Sequence, residues 1–179
     1  DLVMVEFSVN DHCTPHDMET YEGLIRQIYG SRSCPAMVLL HSVYYDTGKS
    51  AAYYHAQIGR HYDLPCISMQ NSIYPAVAAG KLPAEKITAD FLHPNNLGHE
   101  FMASVITNFL EKVIHDKTQE PQEIFPAPLT ENAYEHCVRL QYFNSTPEKS
   151  GFEEDMTPQR DITDIFRNGW SAGEKGAYL

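Results

Sequence analysis

Two short polar clusters in the 179-residue sequence carry residue types suited to hydrolysis. Residues 8–11 read Ser-Val-Asn-Asp and follow an apolar run, and residues 90–94 read Asp-Phe-Leu-His-Pro and precede a long amphipathic stretch. A serine hydrolase needs an imidazole to accept the serine proton, a carboxylate to orient that imidazole and a donor for the oxyanion. Asp90 and His93, three residues apart, can form the carboxylate–imidazole pair, and Asn10 can supply the amide donor.

These clusters resemble motifs of the SGNH (GDSL-type) hydrolases, a family of esterases and acylhydrolases. The third block of that family is Gly-x-Asn-Asp after a strand, and the fifth is Asp-x-x-His-Pro before the last helix. The two clusters occur in the same order as these blocks and next to the same predicted elements, although Ser8 stands where the family usually has glycine. The resemblance covers residues 1–117, the C-terminal half of such a domain. It implies that His93 is the general base and then the general acid, that Asp90 orients it, and that Asn10 belongs to the oxyanion hole.

The nucleophile that this resemblance calls for has no counterpart in the sequence. The family's first two blocks carry a Gly-Asp-Ser nucleophile and a glycine whose amide joins the oxyanion hole. The resemblance implies that both precede Asp1, in a missing N-terminal half of the domain, so that this chain alone would be inactive. Ser42 is the alternative nucleophile within the chain, although it lacks a Gly-x-Ser-x-Gly elbow.

Strand and helix patterns alternate along the first two thirds of the chain, which is typical of a parallel sheet covered by helices on both faces. We therefore expect a three-layer, flavodoxin-like α/β fold. In such sheets the site lies in loops that leave the carboxyl ends of the strands, and the first cluster occupies one of these loops. The predicted strands are 2–7, 36–40 and 65–69. The predicted helices are 17–29, with Asp17 as N-cap and Gly30 as stop, 50–62 and 72–79. A last helix is predicted to start at Asn95 or Asn96 and to carry an apolar core stripe over 101–114.

The composition changes after residue 117. Three prolines within 121–130 predict a linker over 118–130. Residues 161–166 alternate polar and apolar side chains, and turn signals surround Trp170. We expect residues 131–179 to open a β-rich accessory domain, a sandwich in its complete form. The alternative is that this tail wraps the esterase domain as an arm.

The charge and composition of the chain argue against several classes of ligand. The net charge of −11 and the pI near 5.1 argue against nucleic acid and against anionic membrane surfaces. The three residues His12, His16 and Asp17 have a spacing similar to that of a metal site, but a loop before a helix explains them as well, and we expect no metal and no organic cofactor. The four cysteines are far apart without a C-x-x-C pair, which favours reduced thiols and, weakly, a cytoplasmic protein.

The resemblance therefore implies a serine esterase of SGNH type. By analogy with that family, its expected substrate is an ester of a small acyl group, such as acetyl on a carbohydrate. Two other functions stay open at this point: a non-catalytic binding protein that kept the fold without the nucleophile, and an acyltransferase that uses the same triad with an alcohol acceptor. The oligomeric state and the compartment stay open as well.

Overall fold

The structure, a computed structural model, describes residues 1–116, 125–155 and 169–179. It divides into two units, Asp1–His136 and Cys137–Leu179, and each is described by itself below.

The first unit is a parallel sheet with helices on both of its faces. Its three strands lie in the order β1-β2-β3 and all pair in parallel, as the alternating pattern predicted. The elements are β1 (Leu2–Val5), α1 (Pro15–Tyr29), β2 (Ala36–His41), α2 (Ala52–His61), β3 (Cys66–Ser68), α3 (Met69–Ser72), α4 (Tyr74–Ala78), a 3₁₀ turn (Ala84–Lys86) and α5 (Asn96–His115).

The central strand β2 is buried on both faces, which explains its continuous apolar run. Met37 and Leu39 belong to a core cluster with side chains of α1 and α2. Val38 and Leu40 point the other way, into a second cluster against which α4 and α5 pack. Side chains of a strand alternate between the two faces, so one short apolar run fills the core of both outer layers.

The start of α1 differs from the prediction. Thr14, not Asp17, is the N-cap: its hydroxyl accepts from the Asp17 amide, while the Asp17 carboxylate accepts from the backbone of Thr14, which is a capping box. Pro15 fits the first helical position because it has no N–H to leave unpaired. Gly30 ends the helix as expected.

The predicted helix over 72–79 is two short helices. α3 ends at Ser72 and α4 begins at Tyr74, with Ile73 between them. Pro75 lies in the first turn of α4 and cannot donate a backbone hydrogen bond to the preceding turn, so a continuous helix is interrupted there.

Helix α5 confirms the clearest periodic pattern of the sequence. Asn95 is its N-cap, with the side-chain oxygen accepting from the Gly98 amide at 3.0 Å. Met102, Val105, Ile106 and Phe109 pack against the core, whereas Phe101, expected in the core, is 39% exposed. No helix in the described part of the chain is both long and apolar enough to cross a membrane.

Residues 125–136 belong to the first unit, six residues beyond the expected end of the linker at 130. Glu22 of α1 is fully buried and accepts hydrogen bonds from the backbone amides of Leu129 and Thr130. Arg26 donates to the carbonyl of Pro126 and pairs with Glu135 at 2.8 Å. These bonds bind the described part of the predicted linker to α1. Its first residues, 118–124, lie outside the described residues.

The second unit contains a two-stranded antiparallel sheet. β4 (Glu153–Asp155) pairs with β5 (Gly169–Ser171), and Trp170 lies opposite Glu154. The alternating segment 161–166 lies outside the described residues. A complete accessory β-sandwich that begins in this part of the chain stays a prediction.

Candidate active site

Asp90 and His93 form the contact that their spacing predicted. Nδ1 of His93 lies 2.6 Å from Oδ2 of Asp90, and both side chains are exposed, by 78% and 52%. The hydrogen bond from His93, together with backbone amides of His93 and Leu92, lowers the pKa of Asp90 to about 2. An ionised carboxylate cannot donate, so in the neutral ring Nδ1 carries the hydrogen and Nε2 carries the lone pair. An exposed Nε2 lone pair is what a general base requires.

The loop that carries this pair is closed at its base. Thr88 and Pro94 form an isolated antiparallel bridge, and the Asn95 amide donates to the carbonyl of Ile87 at 2.9 Å. Gly98, in the first turn of α5, allows this closure because a Cβ there would lie 2.2 Å from the Ile87 oxygen. The start of α5 is therefore packed directly against the base of the loop.

Phe91, between the paired residues, has a backbone φ of 64°. This left-handed conformation is costly for a large side chain and is kept only where the surroundings determine it. Here the Phe91 amide donates to Thr88 Oγ1 at 3.0 Å, and its carbonyl accepts from the Tyr45 amide at 2.8 Å. These bonds hold the backbone between Asp90 and His93 in one shape.

Asn10 lies in a tight turn after β1. Its amide and that of Asp11 both donate to the carbonyl of Phe7, at 3.0 and 2.9 Å. The Asn10 side chain is exposed and makes no hydrogen bond within the described residues. Residues 8–13 line a cavity of about 440 Å³ together with Tyr44 and residues 48–51. The amide donors of Asn10 are therefore open to a ligand in this cavity.

The loops of Asn10 and His93 both bind the same segment after β2. The Tyr44 hydroxyl donates to the carbonyl of Val9 at 3.1 Å, and the next residue, Tyr45, donates through its amide to Phe91. The structure thus brings the Asp90–His93 pair together directly. It connects Asn10 to that pair only through this segment, and neither Asp90 nor His93 lines the cavity at Asn10.

Ser8 joins the ends of β1 and β2. It is fully buried, its hydroxyl donates to Glu6 at 2.5 Å, and the amide of Ser42 donates to it at 2.6 Å. The carbonyl of Ser42 accepts from the Ser50 hydroxyl at 2.8 Å. Ser42 is thus held through its backbone, and within the described residues no hydrogen bond joins its hydroxyl to a histidine, as a nucleophile would require.

A second carboxylate–imidazole pair was missed by the sequence analysis. His55 of α2 is fully buried, and its Nε2 lies 2.9 Å from Oδ2 of Asp11. His41, also buried, lies 6.0 Å from His55 between ring centroids. Burial lowers the pKa of both histidines, that of His41 to about 4. Asp11 was inside a recognised motif, but its partner is 44 residues away and only the fold brings the two together.

Two of the three residues considered for a metal make other contacts. Asp17 completes the capping box of α1, and His16 lies edge-on to Tyr134. Within the described residues no group of three or more His, Cys, Asp or Glu side chains is arranged to hold a metal ion. Within the described residues, which include all four cysteines, no disulfide bond is present.

Comparisons with known proteins identify an esterase of the same fold. No protein-family model matches the chain, and no curated protein matches it. Solved structures do, among them one of a two-domain esterase (CEX) active on acetylated mannans, and one of a two-domain esterase (CEX) active on acetylated mannans co-crystallized with mannopentaose. Both are 50% identical to this chain over 98% of its length, with TM-scores of 0.89 and 0.87. The chain spans about half of those proteins, 48% and 47% of their length.

This similarity tests the fold and the type of enzyme that were predicted from the sequence. It confirms the α/β fold and the resemblance to an esterase over nearly the whole chain. The structures are named for an activity of the whole two-domain protein, of which this chain matches one half.

Proposed function

We propose that this chain contributes His93, Asp90 and Asn10 to the active site of an SGNH-type serine esterase. The observation that carries the proposal is the 2.6 Å contact between Nδ1 of His93 and Oδ2 of Asp90, which leaves Nε2 exposed with its lone pair. The similarity to an esterase, at 50% identity over 98% of the chain, supports it.

In this proposal the chemistry is acyl transfer to a serine and then to water. As the serine oxygen attacks the ester carbonyl, Nε2 of His93 accepts the proton of the serine hydroxyl. The side-chain amide of Asn10 donates to the resulting oxyanion. His93 then gives that proton to the leaving alcohol. A water molecule, deprotonated by His93, attacks the acyl-serine, and the carboxylic acid leaves as the serine recovers its proton. Asp90 holds the ring and stabilises its protonated form throughout.

The serine itself is proposed to lie in a part of the protein outside these 179 residues. No Gly-Asp-Ser occurs in the sequence, and Ser42 has no histidine partner within the described residues. A second oxyanion donor is expected from the same missing part.

The proposed substrate is an acetyl ester on a carbohydrate. The structural relatives are described as active on acetylated mannans. The cavity of about 440 Å³ beside Asn10 has room for an acetyl group and part of a sugar ring, and polar side chains surround it. A mannan is the first polymer to test.

The test compares two histidine variants of the full-length protein on acetylated mannan, with acetate release as the measurement. His93→Ala should lower kcat by about 10³- to 10⁶-fold. His99→Ala, an exposed histidine six residues later on α5, should leave kcat within about twofold. Equal rates for the two variants would refute the proposed role of His93.

The same assay separates the other two functions. With an alcohol acceptor present, an acyltransferase would form an acetylated acceptor in place of acetate. A binding protein would retain acetylated mannan and release no acetate. Either result would overturn the proposal of an esterase.

A further inference from the structure

The residue that follows the proposed oxyanion donor is bound to a fully buried histidine. Oδ2 of Asp11 lies 2.9 Å from Nε2 of His55. The Asp11 side chain is 20% exposed, whereas that of His55 is completely buried on α2. Burying a polar ring is costly unless it is hydrogen-bonded, so this contact accounts for one of the two nitrogens of His55.

The ring of His55 is held in a defined tautomer. It stacks on Tyr21 of α1, with centroids 3.8 Å apart and planes 9° from parallel, and its Nδ1 is buried without a hydrogen-bond partner. A protonated ring would bury an unpaired N–H together with a charge, so the neutral form with hydrogen on Nε2 is favoured. His55 thus donates to the Asp11 carboxylate.

Burial favours the neutral ring, although the neighbouring carboxylates oppose it. Burial lowers the pKa of His55, against the opposing effects of Asp11, Glu6 and Asp17, and the neighbouring His41 is itself buried. Neutral His55 leaves Asp11 with a hydrogen bond but without a counter-charge.

The contact fixes the turn that carries Asn10. The amides of Asn10 and Asp11 both donate to the carbonyl of Phe7, which holds the backbone of the turn. The bond to His55 holds the same turn from the side of α2. A further hydrogen bond joins the start of α2 to the end of β1, because the Ala51 amide donates to the carbonyl of Ser8 at 2.6 Å.

We propose that the Asp11–His55 pair positions Asn10 for oxyanion stabilisation. This inference rests on the proposed function, in which the Asn10 amide donates to the oxyanion. A donor contributes fully only when it is held in place before the reaction, and an error of about 1 Å costs on the order of 10²-fold in rate. Asp11 and His55 do not themselves touch the substrate, so both are positioning residues.

The kinetic test uses the full-length protein. Asp11→Ala and His55→Leu should each lower kcat by about 10- to 100-fold with KM changed by less than about threefold. His55→Gln, whose amide can still donate to Asp11, should recover most of this loss. His61→Gln, on the same helix but bonded to the carbonyl of Ala127, is the matched control and should leave kcat unchanged.

A double substitution separates positioning from a general loss of stability. Because the pair acts through Asn10, adding Asp11→Ala to Asn10→Ala should lower kcat by less than about twofold further. An undiminished further loss would overturn the inference and leave the esterase proposal standing. If Asn10→Ala alone leaves kcat unchanged, the role of Asn10 and the inference both fall.

Histidine ¹⁵N shifts of the full-length protein provide a readout that is independent of activity. We expect His55 to show hydrogen on Nε2 and none on Nδ1 at neutral pH, and Asp11→Ala to shift its Nε2 resonance. Asp11→Asn, which keeps an acceptor oxygen, should retain both the tautomer and a folded spectrum if Asp11→Ala does not fold. Hydrogen on Nδ1 of His55 in the unmodified chain would overturn the inference.

Discussion

One carboxylate binds both the backbone and the ring of His93. Oδ1 of Asp90 lies 2.7 Å from the His93 amide nitrogen, while Oδ2 lies 2.6 Å from its Nδ1. Oδ1 also accepts from the Leu92 amide at 3.1 Å. Two backbone donors therefore determine which oxygen faces them, and the other oxygen is left for the imidazole.

This arrangement predicts a large effect of Asp90→Asn in the full-length protein. The two amides require an acceptor, so the carboxamide oxygen takes the place of Oδ1 and its NH₂ faces Nδ1 of His93. The ring must then carry its hydrogen on Nε2, which cannot act as a base. We expect kcat to fall by about 10⁴-fold, as when the corresponding aspartate of a serine protease becomes asparagine.

The rate of p-nitrophenyl acetate hydrolysis measures this effect, and ¹⁵N shifts of His93 measure the tautomer. Asp63→Asn, a change of the same kind at an exposed position after α2, is the control and should leave kcat unchanged. A kcat within about tenfold of the unmodified protein would show that Asp90 does not set the tautomer of His93.

The 179-residue chain by itself should hydrolyse p-nitrophenyl acetate at a negligible rate. The proposed nucleophile is not among its residues, and Ser42 is held through its backbone amide and carbonyl by Ser8 and Ser50. The measurement is saturable release of p-nitrophenol above the rate in buffer. Fast hydrolysis that Ser42→Ala abolishes would identify Ser42 as the nucleophile instead.

The parts of the site that could be predicted from the sequence are local. Asp90 and His93 are three residues apart, and Asn95 caps the helix that begins one residue later, so short-range rules were sufficient. The fold was also predictable, because β2 is a short apolar run between two amphipathic helices.

The parts that could not be predicted depend on distant partners. Asp11 and His55 are 44 residues apart, and Glu22 and Thr130, which are hydrogen-bonded, are 108 residues apart. A glutamate within an amphipathic helix is usually exposed, so nothing local indicates that Glu22 is fully buried. Three of its four acceptor contacts, those from Leu129 and Thr130, exist only once residues 125–136 lie on α1, and the fourth comes from Tyr62 at the end of α2.

The buried histidines predict a loss of stability in mild acid. Burial, with a smaller effect of His55, lowers the pKa of His41 from about 6.5 to about 4. The unfolded chain therefore binds more protons than the folded one in this range, and the free energy of unfolding falls as the pH drops from about 6.5 to about 4. For one titrating group, the decrease in the free energy of unfolding between about pH 7.5 and about pH 5 is on the order of 2 kcal/mol.

Urea unfolding at these two pH values measures the difference. His41→Gln should flatten the dependence on pH, whatever its effect on stability at neutral pH, because it removes the titrating group. His99→Gln, on an exposed residue, should leave the dependence as it is. An unchanged slope in His41→Gln would mean that other groups, such as His55, cause the loss.

The contact of residues 125–136 with α1 predicts that Gly23→Ala destabilises the protein. A Cβ at position 23 would lie 2.7 Å from Cβ of Tyr134 and 2.8 Å from its backbone carbon. Because backbone atoms cannot move aside as a flexible side chain can, the substitution must shift residues 125–136 away from α1. Such overpacking costs about 1–3 kcal/mol, and the better helix propensity of alanine returns at most about 1 kcal/mol.

We therefore expect a net loss of about 1–2 kcal/mol in the free energy of unfolding, with faster backbone amide exchange at Leu129 and Thr130, whose amides bind Glu22. Gly173→Ala is the matched control, since a Cβ there meets nothing within 4 Å. If Gly23→Ala is as stable as Gly173→Ala and exchange at Leu129 is unchanged, then residues 125–136 do not lie on α1 in solution, and this segment is the linker that its prolines predicted.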